Sequence, residues 1–186
     1  MKTNKIPSTA DWLLSKFARS CIPAPATHPK KAGRKKFNPN FILQFKKMAK
    51  QIFINLAVKD VEKSMQFYTA LGFTNNPQFS DASGKCMVWS ENIFVMIMTH
   101  EKFAGFATKP IADTKTTIAG LFSLSLDSVE EMNSVMANGL SAGGIEPHPV
   151  RDYGFMQQRT IEDFDGHTWE VFYMDMSKFP TEQPQG

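Results

Sequence analysis

The sequence predicts an α+β fold in which two βαβββ units form a curved mixed sheet with the helices on its convex side. Three observations support this prediction. The same order of elements occurs twice, over about residues 51–110 and 118–176. In each unit the first strand alternates with a period of two and leads directly into an amphipathic helix. Short apolar strands separated by turn residues follow each helix.

The first unit begins with a strand at 52–58 (IFINLAV). Its uniformly apolar face, which is predicted to pack beneath the helix, consists of Ile54, Leu56 and Val58. Asp60 is placed to cap the helix that follows, and Gly72 suits the position just after its last turn. The three remaining strands of the unit are predicted near 78–80, 85–90 and 93–99.

The second unit repeats this order. Its first strand is predicted at 121–126 (LFSLSL). The apolar residues that are predicted to face the helix are Phe122, Leu124 and Leu126. The helix is predicted over 127–144 and ends at the glycine pair 143–144. The strands 155–163 and 167–174 are predicted to form a hairpin.

The strand faces turned away from the helices predict a pocket. They carry Asn55, Ser123 and Ser125 among the large apolar residues Phe53 and Leu121. A few polar groups within an apolar surface are typical of a ligand pocket. The alternative is an ordinary solvent-exposed sheet face, in which Phe53 and Leu121 would be poor solvent residues. We therefore expect a small-molecule pocket on this face.

Charge divides the chain near residue 50. Residues 1–50 hold twelve Lys/Arg against one acid, giving +11, whereas residues 51–186 hold nine against seventeen, giving −8. We expect residues 1–50 to be a mostly disordered basic extension and residues 177–186 to be a disordered tail. Three interpretations of the extension remain open: an arm for nucleic acid or an anionic surface, a transit peptide, and extra sequence upstream of a true start at Met48.

The other sequence features favour a cytoplasmic protein that does not associate with a membrane. The longest apolar run, 93–98, is too short to span a bilayer. Two cysteines, Cys21 and Cys86, form neither a disulfide framework nor a zinc pattern. We expect Cys86 to act as a small buried apolar residue. Nucleic-acid binding would depend on the basic extension alone, and we do not expect it of the domain.

Two motifs of the chain resemble those of a known superfamily. The first surrounds the first helix and consists of Asp60, Ser64, Phe67, Tyr68, Leu71, Gly72 and Phe73. The second consists of Asp163, Asp165, Gly166, His167, Trp169 and Glu170. With the paired βαβββ units, they resemble the vicinal oxygen chelate superfamily of glyoxalase I, bleomycin-resistance proteins, fosfomycin-resistance enzymes and extradiol dioxygenases. The resemblance covers about residues 51–175 and implies the fold, but one fold hosts many chemistries.

The resemblance also implies where a metal would bind. Metal-dependent members hold a divalent ion with His and Glu ligands from the first and last strands of both units. Glu170 matches the last of these positions, but Phe53 and Leu121 stand where the first strands supply His, and the strand 94–99 has no His or carboxylate. One carboxylate does not hold Zn²⁺, Ni²⁺ or Fe²⁺. We therefore expect no cofactor, and a divalent metal only with unforeseen ligands such as His100.

Glu170 then has three alternatives. It pairs with Arg159 on the neighbouring strand, it accepts a hydrogen bond from Asn55 or Ser123 across the pocket, or it stays protonated as a general acid or base. The other predicted ligand contacts and pocket walls are Tyr153, Phe155, Met96, Phe53 and Leu121. His167 follows a turn glycine and is expected to face water.

Two functions of different classes fit these observations. The first is a metal-free protein that binds a small organic molecule, as bleomycin-resistance proteins do. The alternative is a glyoxalase I-like lyase or isomerase that acts on a carbonyl or thiohemiacetal substrate with Glu170 as the base. The missing ligand positions favour the first. The resemblance also implies a homodimer.

Overall fold

Each sequence repeat folds as one βαβββ unit. The computed structural model describes residues 50–180, so the predictions for the upstream extension and for residues 181–186 lie outside the described residues. The first unit consists of β1 (Ile52–Val58), α1 (Val61–Ala70), β2 (Thr74–Asp81), β3 (Gly84–Ser90) and β4 (Ile93–Thr99). A short helix, α2 (His100–Ala104), follows it. The second unit consists of β5 (Leu121–Leu126), α3 (Val129–Ser141), β6 (Arg151–Asp152), β7 (Met156–Glu162) and β8 (Thr168–Met174).

Both long helices begin directly after a side chain that caps them. Asp60 accepts a hydrogen bond from the Lys63 backbone N–H, and Ser128 accepts one from that of Glu131, each at 3.0 Å. The first helix ends before Gly72, whose φ of 105° is open to glycine at little cost. The cap at Asp60 and the glycine after the first helix are as predicted, whereas the second helix, predicted over 127–144, is shorter and spans 129–141.

The α+β fold class is confirmed, but the two units form two sheets and not one. Within each sheet the first strand pairs in parallel with the last, giving the orders β1-β4-β3-β2 and β5-β8-β7-β6. The first strands, β1 and β5, are therefore both edge strands, and neither pairs with the other. Each edge is free to border another part of the chain.

One apolar core joins the two units. It contains the helix-facing residues of both first strands together with buried residues of both helices, and its largest member is Trp169 at 1% exposure. Tyr68 of α1 is fully buried, and its ring packs edge-on against Trp169 of β8. We call the sheet surfaces turned toward this core the core faces, and the opposite surfaces the outer faces. Because the core is shared, neither unit has its full core alone.

The outer face of the first sheet is covered by a second apolar cluster. Phe53 and Phe94 stack on it with ring centroids 4.7 Å apart, and Met96 and Cys86 beside them are buried. Burial raises the pKa of the Cys86 thiol to about 11, consistent with the predicted apolar role. The helix α2 contributes Phe103 to this cluster.

A partly buried ion pair holds α2 in this position. Lys102 donates to both carboxylate oxygens of Asp81, at 3.0 and 2.8 Å. Burial opposes ionisation of Asp81, but hydrogen bonds from Lys102 and Ser83 outweigh it, and the pKa of Asp81 falls to about 2. His100 opens this helix, and the side chain of Thr99 caps it. Over residues 50–180, no helix has the length and apolarity needed to cross a membrane.

Candidate functional site

Glu170 lies on the outer face of the second sheet and is bound by Ser123. The two residues are partners in the β5–β8 register, and Ser123 Oγ donates to Glu170 Oε2 at 2.8 Å. Of the three alternatives for this carboxylate, the bond from Ser123 is therefore confirmed. Glu170 is also partly exposed to water.

The predicted pairing of Glu170 with Arg159 is wrong. Arg159 is the register partner of Val171, so its side chain points to the face opposite Glu170. There its Nε and Nη2 donate to the two carboxylate oxygens of Glu146 at 2.8 and 2.7 Å, and its Nη1 donates to Asn133 at 3.0 Å. The hydrogen bond from Arg159 lowers the pKa of Glu146. This pair lines an open polar groove of about 520 Å³ on the second unit.

The predicted ligand contacts do not meet in one place. Phe53 and Met96 belong to the aromatic cluster of the first sheet, whereas Leu121 lies on the outer face of the second sheet and is 51% exposed. Tyr153 is half-exposed near the β6–β7 turn, and Phe155 packs against the ring of Phe179 beyond β8. Each outer face points away from the shared core, so one chain does not bring the two faces together.

The turn between β7 and β8 is a buried junction between the units. We call residues 163–167 the clasp. Asp163 is 1% exposed and accepts three hydrogen bonds at 2.9 Å, from the Tyr68 hydroxyl and from the backbone N–H groups of Asp165 and His167. Burial and the neighbouring charge of Asp163 raise the pKa of Tyr68 well above its ordinary value. The Tyr68 hydroxyl therefore remains a donor over the physiological range.

The clasp also reaches the end of β1 and the segment between the units. Asp165 Oδ1 accepts from the Lys59 backbone N–H at 3.1 Å, and the Asp165 carbonyl accepts from the Thr114 hydroxyl. The sequence predicted that His167 faces water, and this is wrong: the side chain is 7% exposed, with Nε2 2.8 Å from the Ala57 carbonyl oxygen. A carbonyl oxygen only accepts, so this nitrogen carries the proton.

A cavity of about 470 Å³ lies beside this junction. We call residues 105–120, which run from α2 to β5, the linker. The linker lines the cavity on one side and β1 lines it on another, and Phe122 and His167 line it from the second unit. The volume is within the range of small-molecule sites.

The cavity lining is largely apolar, with a few polar groups. Its larger apolar residues are Leu56, Phe103, Phe106, Ile111 and Phe122. Its polar residues are Asn55, Thr108, Lys109, Thr114 and His167. Asn55 is the one predicted ligand contact among these lining residues. An apolar wall with a few polar groups is a composition typical of small-molecule sites.

The side chains around Glu170 do not fit the divalent ion of metal-dependent relatives. The positions on the two first strands that supply His in metal-dependent members hold Phe53 and Leu121, whose side chains have no ligating atom. Ser123, which contacts Glu170, offers only a neutral hydroxyl. No cluster of three or more His, Cys, Asp or Glu side chains suited to a metal lies in the described part of the chain. A divalent ion of the zinc type needs several nitrogen, sulfur or oxygen ligands.

Sequence reasoning missed the linker and the clasp as parts of the site. The linker has no periodicity, so nothing in its sequence says what it covers. The clasp did carry a signal, because two carboxylates and a histidine packed around one glycine exceed what a surface turn requires.

Comparisons with known proteins agree with this architecture. A family model described as bleomycin resistance protein-like N-terminal matches residues 50–88. A hypothetical protein of Staphylococcus aureus, SA1046, is similar in structure with a TM-score of 0.58 and 25% identity, over 69% of this chain and 97% of that one. A search against curated protein sequences finds no match.

Two further solved structures share the fold at lower identity. A glyoxalase/bleomycin resistance protein/dioxygenase family enzyme of Burkholderia phytofirmans has a TM-score of 0.56 and 14% identity, over 68% of this chain and 99% of that one. The fosfomycin resistance protein FosX of Listeria monocytogenes has a TM-score of 0.51 and 17% identity, over 70% and 97%.

Proposed function

We propose that this chain, which has the fold of the vicinal oxygen chelate superfamily, is a metal-free protein that binds a small organic molecule in the linker cavity. The observation that carries the proposal is the cavity of about 470 Å³ with its apolar wall and its few polar groups. Retention of the ligand, and not a metal-assisted reaction, is then the function of the site. A cytoplasmic location accords with it.

The residues at the metal positions support the same conclusion. Phe53 stacks on Phe94 and so fills its position with an aromatic pair. Glu170 is bound by Ser123 instead of by a cluster of nitrogen donors. The alternative is a lyase or isomerase with Glu170 as base. It requires a substrate on the outer face of the second sheet, because Glu170 lies there and does not line the linker cavity.

Filling the cavity is expected to abolish ligand binding without unfolding the protein. Ala112 lines the cavity and is exposed, so Ala112→Trp introduces a ring there with little disturbance of the core. Fragments that stabilise the wild type in a thermal-shift screen should bind this variant at least about 10-fold more weakly by calorimetry. Its own Tm should change by less than about 3 °C.

Two variants make this experiment decisive. Ala82→Trp adds the same ring at an exposed turn that does not line the cavity and should bind the fragments like the wild type. If binding survives Ala112→Trp but is lost in Glu170→Gln, the ligand occupies the outer face of the second sheet, and the proposed site is wrong. Stoichiometric zinc or nickel in the purified protein, with activity on a carbonyl substrate, would favour the enzyme.

We also propose that the protein is a homodimer. The outer face of the second sheet leaves Leu121 51% exposed and, further along the same face, Phe172 and Met174 partly exposed; a second copy would remove this apolar surface from water.

Leu121→Lys is expected to raise the dissociation constant of the dimer about 10-fold or more, because it places a charge within that interface. Ile118→Lys, at an exposed linker position, is the matched control. Sedimentation over a range of concentrations measures both, and a wild type that is monomeric throughout would contradict the proposal.

A further inference from the structure

We infer that the molecule bound in the linker cavity is a small organic acid with one carboxylate on an apolar body. This inference rests on the proposed function and specifies the chemical class of its ligand. It follows from the charge of the cavity lining and from backbone N–H groups along the linker that have no protein acceptor.

The cavity lining contains one ammonium group and no carboxylate. Lys109 is exposed at the cavity, and none of the other residues that line it is Asp or Glu. The carboxylates of the clasp lie outside the lining and are directed to other donors: Asp163 accepts three hydrogen bonds, and Asp165 accepts one from the Lys59 backbone N–H. Within the lining a cationic ligand would therefore meet only a like charge, whereas an anionic one finds Lys109.

The linker backbone supplies further donors. No protein acceptor is found within residues 50–180 for the backbone N–H groups of Thr108, Lys109, Ile111 and Ala112. All four residues line the cavity. Unpaired N–H groups beside an ammonium favour an oxyanion, which accepts several hydrogen bonds at once.

The same lining limits the charge and the body of the ligand. One ammonium balances one negative charge, and a dianion such as a phosphate monoester would remain half compensated. The walls opposite the linker are Leu56, Phe103 and Phe122, which suit an aromatic ring or a short alkyl chain. A phenylpropionate has both features and is a suitable probe.

The test uses three probes with one apolar body: 3-phenylpropionate, 3-phenylpropanol and 3-phenylpropylamine. By calorimetry on the full chain at pH 7, the acid is expected to bind about 10-fold or more tightly than the alcohol, and the amine more weakly still. Added salt should weaken binding of the acid and leave binding of the alcohol unchanged, because the Lys109 ammonium is exposed and is therefore screened by ions.

Lys109→Gln should weaken binding of the acid about 5-fold and leave binding of the alcohol unchanged. Lys115→Gln, on the same linker but outside the cavity lining, should alter neither. Equal binding of the three probes, preference for the amine, or failure of the acid to bind overturns the inference. Equal binding that Ala112→Trp abolishes would leave the proposed function standing and reject only the ligand class.

Discussion

Asp163→Ala is expected to lower the free energy of unfolding by about 3–5 kcal/mol. The carboxylate accepts hydrogen bonds from Tyr68, Asp165 and His167 at 1% exposure, and alanine would leave these donors buried without a partner. Because Tyr68 belongs to the first unit and the clasp to the second, the loss falls on the junction between them. Urea unfolding followed by tryptophan fluorescence measures the change.

Two comparisons identify the cause of this loss. Glu91→Ala removes an exposed carboxylate from the β3–β4 turn and should change stability by less than about 0.5 kcal/mol. Tyr68→Phe removes the hydroxyl that donates to Asp163 and accepts from Trp169 Nε1, but it leaves the two backbone donors to Asp163 in place. It should therefore cost less than Asp163→Ala, about 1–2 kcal/mol. A loss of less than about 1 kcal/mol for Asp163→Ala would show that the clasp does not hold the units together.

Gly166→Ala is the second change with a large expected effect, a loss of about 2–4 kcal/mol. Gly166 has a φ of 90°, and a Cβ there would overlap the backbone carbonyl of Thr114. Backbone atoms cannot swing aside as a flexible side chain does, so the linker itself must move. We expect ligand affinity to fall together with stability, because the linker covers the cavity.

The matched control is Gly154→Ala. Gly154 also has a positive φ, 80°, but nothing lies within 4 Å of a Cβ built there. Gly154→Ala should lower the free energy of unfolding by about 1 kcal/mol, because alanine disfavours a positive φ, and it should leave ligand affinity unchanged. Equal losses for the two variants in thermal and urea unfolding would mean that the close approach of the linker to the clasp adds nothing.

These expectations give the second motif of the sequence a structural meaning. Asp163 and His167 are fixed by hydrogen bonds to Tyr68 and Ala57 across the unit boundary, and both are buried. The motif therefore joins the units, while Glu170 at its end faces outward. Its two parts serve different purposes although they are adjacent in the sequence.

The elements of the fold were predictable because their signals are local. A period of two marks β1 and β5, a capping residue begins each long helix, and glycine ends them. Apolar spacing alone also identified the core faces of both first strands, which the shared core confirms. The bond between Ser123 and Glu170 was among the alternatives, since both residues face away from the helices.

The arrangement of the two units was not predictable in the same way. The repeat shows that there are two similar sheets, but β1 and β5 would serve equally well as paired central strands or as free edges. Packing through the core faces decides between these arrangements, and it depends on complementary side chains from both units. As a result Phe53 and Glu170, expected in one pocket, lie on different outer faces.

The sequence by itself determined two βαβββ units, the approximate positions of their helices, and the absence of ligating side chains at the positions of Phe53 and Leu121. The tertiary structure alone decided which surfaces meet: it buried the clasp, turned Arg159 toward Glu146, and brought the linker and β1 to the same cavity. The physical reason is the distance along the chain over which each kind of interaction acts. Strand alternation and helix capping act within a few residues, whereas the cavity is formed by groups far apart in the chain that only the shared core brings together.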